Sequence, residues 1–232
     1  FARWTSNFDQ KDMSEFWHVI CDKPMDLDDY SRNTRSKIRR GLKQCEMKKV
    51  EKKEVINKGF DSYVSAFKKY NSHLSPKSES EFKSEIENLV GNWDFWAIYK
   101  DSQMIGYSQN KIIDAYCDYS TIKFHPEYLK FYPSYALFFT MNQYYLNEKE
   151  FKYVNDGARS ISHETNIQEF LIEKFRFRKA YCKLNIIYSL KVKLLLSLFY
   201  PCRHIIKLLK FGPFLKLNIF LYQEKIRRSY ER

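Results

Sequence analysis

The sequence predicts an α/β fold, and three observations carry that expectation. Residues 95–124 alternate apolar and polar side chains with the period of strands, while segments on either side repeat apolar residues at helical spacing. Phe151 to Leu184 then reads as strand, polar turn, amphipathic helix, short corner and strand. A chain of 232 residues suffices for one sizeable domain with additions, and six glycines and six prolines leave no room for a long linker.

Taken in order, residues 1–22 hold Trp4, Phe8, Phe16 and Trp17 without clean periodicity, so a strand is expected only near 16–20. After the acidic stretch 26–30, Ser31 or Asn33 caps a helix running to about Lys43, because a short oxygen-bearing side chain accepts from the first free amides. Arg32, Arg35, Arg39 and Lys43 share one face of that helix, and Ile38 and Leu42 mark the other. A second helix is expected over 54–70, with Phe60, Tyr63, Val64, Phe67 and Tyr70 at core spacing. A serine-rich loop with Pro76 leads to a third over 79–90.

Asp101-Ser102 between two alternating runs signals a hairpin. Asp114, Asp118 and Ser120 alternate with Tyr119 and Ile122 along a further strand. Tyr132 to Leu146 reads as an aromatic helix, with Pro133 in the first turn where its missing N–H costs nothing. Val154 closes the next strand, and Asn155-Asp156-Gly157 is turn chemistry. Thr165 and Gln168 make a capping box before the stripe Ile167, Phe170, Leu171 and Phe175. A strand over 181–188 follows the corner Phe175-Arg176-Phe177-Arg178.

Eighteen tyrosines and nineteen phenylalanines imply a core filled with rings. The five cysteines are dispersed and lack a C-x-x-C pair, which suits reduced thiols in a cytosolic protein. The first residue is Phe rather than Met, so the chain is expected to be truncated at its N-terminus. Of the net charge of +12, Ser189 to Arg232 carries +8, from ten basic and two acidic residues. A tail of that kind attracts polyanions. Its apolar runs are broken by lysines and Pro201 and are too short to span a bilayer. Two readings stay open for it: an amphipathic helix in a membrane interface, or helices packed on the domain. P-loop, G-x-S-x-G and Rossmann fingerprints are absent, and the five histidines have no metal-ligand spacing.

The succession ββ(β)-α-β-α-β, the ending F-x-F-R-K-A at 175–180 and the capped Arg-rich helix within Leu27–Val50 resemble the GNAT acyltransferases, in their FemAB-like branch. The resemblance covers about residues 25–188. It implies a mixed sheet splayed near its centre with helices on both faces, and a cytoplasmic acyltransferase domain over 1–188 with a basic amphipathic helical tail over 189–232. Classical FemAB enzymes carry two GNAT-like domains, where this chain has room for one. The implied reaction moves an acyl or aminoacyl group onto an amine, such as an amino sugar or peptide of a cell-envelope precursor, with the tail near the inner membrane face. Acyl-CoA is the implied donor. The stretch matching the pyrophosphate loop, Phe124 to Phe138, contains no glycine, which brings in aminoacyl-tRNA as the alternative donor. A scaffold that binds nucleic acid or anionic membrane without catalysis is the rival reading.

Amine acylation needs a base, a positioned donor and stabilisation of the oxyanion. Asp156 and His163 are the candidate catalytic groups, with Arg159 and Ser160 as substrate-binding neighbours. Four polar groups within eight positions at a strand–helix junction single this segment out. Tyr119 and Tyr135 are candidates for an acceptor groove, Arg35 and Arg39 for phosphate binding, and no metal is expected.

Overall fold

The hairpin at Asp101-Ser102 forms as expected, both residues taking positive φ (49° and 65°), the conformation that tightly linked, right-twisted strands require. It joins β4 (Asn92–Lys100) to β5 (Gln103–Ile113) in a computed structural model that describes residues 2–11, 14–68, 75–161, 166–209 and 212–231. The chain divides into two compact units. The larger comprises Cys21–Gly157 and Phe170–Phe177, and the smaller Phe1–Ile20, Ala158–Glu169 and Arg178–Arg232.

In the larger unit, β3 (Glu46–Val50), β4, β5 and β6 (Tyr116–Phe124) pair antiparallel in that order. β7 (Tyr153–Ala158) joins β6 in parallel, so the sheet is mixed. One face of β4 and β5 packs Phe95, Ala97 and Tyr107 against α2 (Lys52–Lys58), α3 (Phe60–Phe67) and α4 (Glu79–Glu87), through Val55, Tyr63 and Phe82. α5 (Pro133–Asn142) meets α6 (Ile167–Phe175) through rings: Tyr135 and Phe138 lie 5.1 Å and 6.1 Å from Phe170, centroid to centroid. The aromatic content is spent in this packing.

α1 (Arg32–Gln44) is capped by Ser31, whose hydroxyl accepts from the Thr34 amide at 3.3 Å. It rests on α5 at Gly41. A Cβ there would stand 2.5 Å from the Tyr132 carbonyl oxygen and 2.9 Å from the Ala136 Cβ. Gly41→Ala must therefore lift α1 away from α5, and an expected loss of about 1–3 kcal/mol is measurable by urea unfolding. An unchanged midpoint would mean that the two helices part without cost.

In the smaller unit, β8 (Arg178–Ile187) pairs antiparallel with β1 (Ala2–Gln10) and with β2 (Trp17–Cys21). α7 (Leu190–Phe199), α8 (Arg203–Ile206) and α9 (Pro213–Arg228) complete it. Ile226 of α9 packs with Phe16, Cys182 and Leu184, and Leu221 with Leu196, Tyr200 and Ile206. Part of the tail is thus ordinary core.

Several elements depart from the sequence expectation. β1 was hidden because most of its side chains, Trp4 and Phe8 among them, face water, so it shows no alternation and is held by backbone pairing with β8. The helix expected over 54–70 is broken at Gly59 into α2 and α3. Asp114 sits in the β5–β6 turn with φ 48°, not in a strand. The aromatic helix changes at Gln143 to a wider π-helical turn through Glu148. Asn155-Asp156-Gly157 is not a turn: β7 runs on to Ala158, bent where Gly157 takes φ 95° and its amide donates to the Asn155 Oδ1 at 3.0 Å. Arg176 holds the left-handed corner with φ 55°, its guanidinium donating to the Asp29 carbonyl at 2.8 Å.

Candidate functional sites on strand β7 and helix α1

Asp156 shares a face of β7 with Val154, which is fully buried, so the strand carries its carboxylate into protein rather than out to water. Its neighbour on the opposite face fixes the backbone. Asn155 Nδ2 donates to Asp118 Oδ1 at 2.6 Å across the β6–β7 pair, while Asn155 Oδ1 accepts from the Gly157 amide. Asp156 itself has no hydrogen-bond or ionic partner among the described residues. Burial alone raises its pKa to about 7 from the usual carboxylate value of 3.8. A carboxylate of that kind is half ionised near neutrality and ready to take a proton from an incoming ammonium.

The other groups expected beside it fall as follows. Arg159, in the smaller unit, donates to the Glu15 carbonyl at 2.6 Å and to the Tyr222 hydroxyl, and its guanidinium lies over the Trp17 ring at 4.4 Å. Aromatic faces and a carbonyl orient this cation. Ser160 follows it and is half-buried. His163 and Thr165 lie outside the described residues. Gln168 reaches back to the Ala158 carbonyl at 3.2 Å. Tyr119 is buried in the larger unit, its hydroxyl donating to Asn142 Oδ1 at 2.8 Å, a packing role rather than a groove wall. Tyr135 is buried as well, with Lys37 Nζ 3.4 Å from its hydroxyl.

The basic face of α1 forms as the spacing implied. Arg32, Arg35, Ser36, Arg39, Arg40 and Lys43 line an open depression of about 420 Å³. Asp28 pairs with Arg35 at 3.0 Å and approaches Arg39 at 3.7 Å, one carboxylate against five cations. The depression therefore carries a positive potential suited to phosphate groups.

Sequence reasoning missed a polar cluster on the far face of β4 and β5. Register sets Asp94 opposite Asn110 and Trp96 opposite Ser108. The Tyr145 hydroxyl joins them: it accepts from Trp96 Nε1 at 3.0 Å and from Asn110 Nδ2 at 3.2 Å, and donates to Asp94 Oδ2 at 3.1 Å. Lys49 closes the cluster on Asp94 at 2.8 Å. The run Ser108-Gln109-Asn110 inside β5 was the available signal. Among the described residues, no group of three or more His, Cys, Asp or Glu is placed to hold a metal ion.

No family model and no curated protein matches the sequence. Among solved structures, the chain is similar to FemX, with a TM-score of 0.55 and 10% identity over 72% of this chain and 60% of that one. It is also similar to the C-terminal domain of a protein assigned as lysylphosphatidylglycerol synthetase from Agrobacterium fabrum (TM-score 0.52, 12% identity, 80% of this chain and 63% of that one). L-PGS from Bacillus licheniformis gives a TM-score of 0.50 and 12% identity over 80% of this chain and 64% of that one. The chain spans less than two thirds of each of these proteins. At such identities the likeness speaks for architecture. The resemblance carried by the Arg-rich helix and the F-x-F-R-K-A corner holds at that level: this chain has a mixed α/β, GNAT-like fold of the kind seen in FemX.

Proposed function

We propose that the protein transfers an aminoacyl group from aminoacyl-tRNA to an amine of a cell-envelope precursor, with Asp156 as general base. The observation that carries the reading is Asp156 itself, a carboxylate without a partner among the described residues that burial has brought to a pKa of about 7. The amine nitrogen attacks the ester carbonyl, and the carboxylate removes the proton that this nitrogen must lose. The resulting tetrahedral oxyanion collapses as the bond from carbonyl carbon to ribose oxygen breaks. Asp156 then passes the proton to that oxygen. A base with a pKa near the working pH serves both halves of this sequence.

The choice of tRNA over acyl-CoA rests on the start of α5. Its first residue, Pro133, has no amide to offer, and Tyr132 takes a left-handed φ of 60°. Gly41 of α1 lies against the Tyr132 carbonyl, where a Cβ would stand only 2.5 Å away, so α1 covers the residue that opens α5. The five cations of α1 offer phosphates an open surface instead. FemX and the lysylphosphatidylglycerol synthetases support the aminoacyl reading through their fold.

The test is direct. Total aminoacyl-tRNA is expected to bind with affinity falling steeply as salt rises, and Arg35→Glu with Arg39→Glu to weaken it at least about tenfold. Coenzyme A is expected to leave the melting midpoint unchanged. A clear rise with coenzyme A and salt-insensitive tRNA binding would transfer the assignment to an acyl-CoA enzyme.

A further inference from the structure

α7, α8 and α9 each bury one side in the smaller unit and leave aliphatic side chains outside. On α7, Leu196 is buried, whereas Leu190, Leu194 and Leu198 recur at every fourth position and are 72%, 63% and 70% exposed. Ile205 and Leu208 flank buried Ile206 at α8, and Leu215 and Ile219 stand one turn apart on α9. Single exposed leucines are common on protein surfaces, but a row of them along one helix face is not.

The charges around these side chains have one sign. No Asp or Glu occurs between Ser189 and Gln223. Lys191, Lys193, Lys207 and Lys216 stand among the leucines and have no acidic partner among the described residues. A second copy of the chain would bring ammonium groups against ammonium groups. Crossing a bilayer is ruled out for the described helices, none of which is long and apolar enough. Leucines that can enter the acyl boundary, beside lysines whose stems reach back to phosphates, suit the interface of an anionic bilayer.

We propose that the outward faces of α7 and α8, with Leu215 of α9, dock this protein on the surface of an anionic lipid bilayer. This docking is independent of the chemistry assigned to Asp156. The test is cosedimentation of the full chain with vesicles of equal parts phosphatidylserine and phosphatidylcholine, and with phosphatidylcholine alone. The mixed vesicles are expected to bind at least about tenfold more tightly. Leu194→Glu with Leu198→Glu is expected to lower that binding at least about tenfold, with circular dichroism and melting midpoint unchanged because both side chains are exposed. Lys191→Gln with Lys193→Gln is expected to lower it and to flatten its salt dependence. Failure of the wild-type chain to bind the mixed vesicles overturns the proposal. So does binding that ignores the leucine pair, which reduces the contact to charge alone. Leucine-dependent self-association in vesicle-free buffer also overturns it, making a second copy the occupant.

Discussion

Asp156→Asn is expected to cut aminoacyl transfer by about 10²–10⁴-fold, the usual contribution of a positioned general base, while making the protein more stable above pH 7. The two effects share one cause. Folding raises the Asp156 pKa from 3.8 to about 7, so the native state holds this proton more tightly than the unfolded chain does. Below pH 4 both states are protonated and the site contributes nothing. As pH rises from 4 to 7 the native state loses stability, and above 7 the full cost of an ionised, desolvated carboxylate is present. The whole shift corresponds to about 4 kcal/mol, and the part of the carboxylate that still meets water brings the expected gain for Asn down to about 1–3 kcal/mol. Urea unfolding of both proteins at pH 4 and pH 8 separates these cases. Equal stabilities at pH 8 would mean that Asp156 is solvated and an ordinary surface acid. In wild-type protein the transfer rate is expected to rise with pH through about 7, as the base becomes ionised.

Tyr145→Phe is expected to destabilise the fold by about 2–4 kcal/mol although it removes only one oxygen. The Tyr145 hydroxyl receives Trp96 Nε1 and Asn110 Nδ2 and donates to Asp94. Phenylalanine would leave the buried Trp96 indole N–H with nothing to bond and Asn110 Nδ2 with only the weak acceptor Met141 Sδ at 3.2 Å, and a buried donor without a partner costs about 1–3 kcal/mol. Burial already holds the hydroxyl in its neutral form, its pKa raised chiefly by desolvation. Adding Asn110→Leu and Ser108→Ala to Tyr145→Phe is expected to recover part of the loss, because together they remove the Asn110 amide and the Ser108 hydroxyl that it accepts from. If the single variant unfolds at the wild-type urea midpoint, water reaches the cluster and the bonds are not buried ones.

How legible was this fold in the chain? The capped basic helix, the 101–102 hairpin and α5 were readable because each depends on neighbours a few residues away, and β8 because its buried side chains alternate along the strand. β1 was not, since its partner β8 lies about 180 positions further on and its own side chains mostly face water. Asp156 was legible as a residue type at a strand end. Its raised pKa was not, because that follows from the face of β7 it shares with Val154. The turn expected at 155–157 failed for an instructive reason: the Asn155 oxygen that would shape a turn instead bends a continuing strand. The polar run Ser108-Gln109-Asn110 was the one local sign of the cluster of Asp94, Trp96, Asn110 and Tyr145, because the cluster itself is created by register between strands and by the helix above them.

The path of the chain through the smaller unit has a consequence for synthesis. Ala2 pairs with Ile187 and Trp17 with Tyr181, so β1 and β2 are completed by a strand that is synthesised much later than they are. The larger unit draws on Cys21–Gly157 for most of its length and needs only Phe170–Phe177 besides. It can gather while translation continues, whereas β1 and β2 wait with open edges until β8 arrives. A nascent chain stalled before Arg178 would expose both edges at once, the arrangement most prone to pair with a neighbouring polypeptide. Yield in expression is therefore expected to depend more on how soon β8 follows β7 out of the ribosome than on the intrinsic stability of the larger unit.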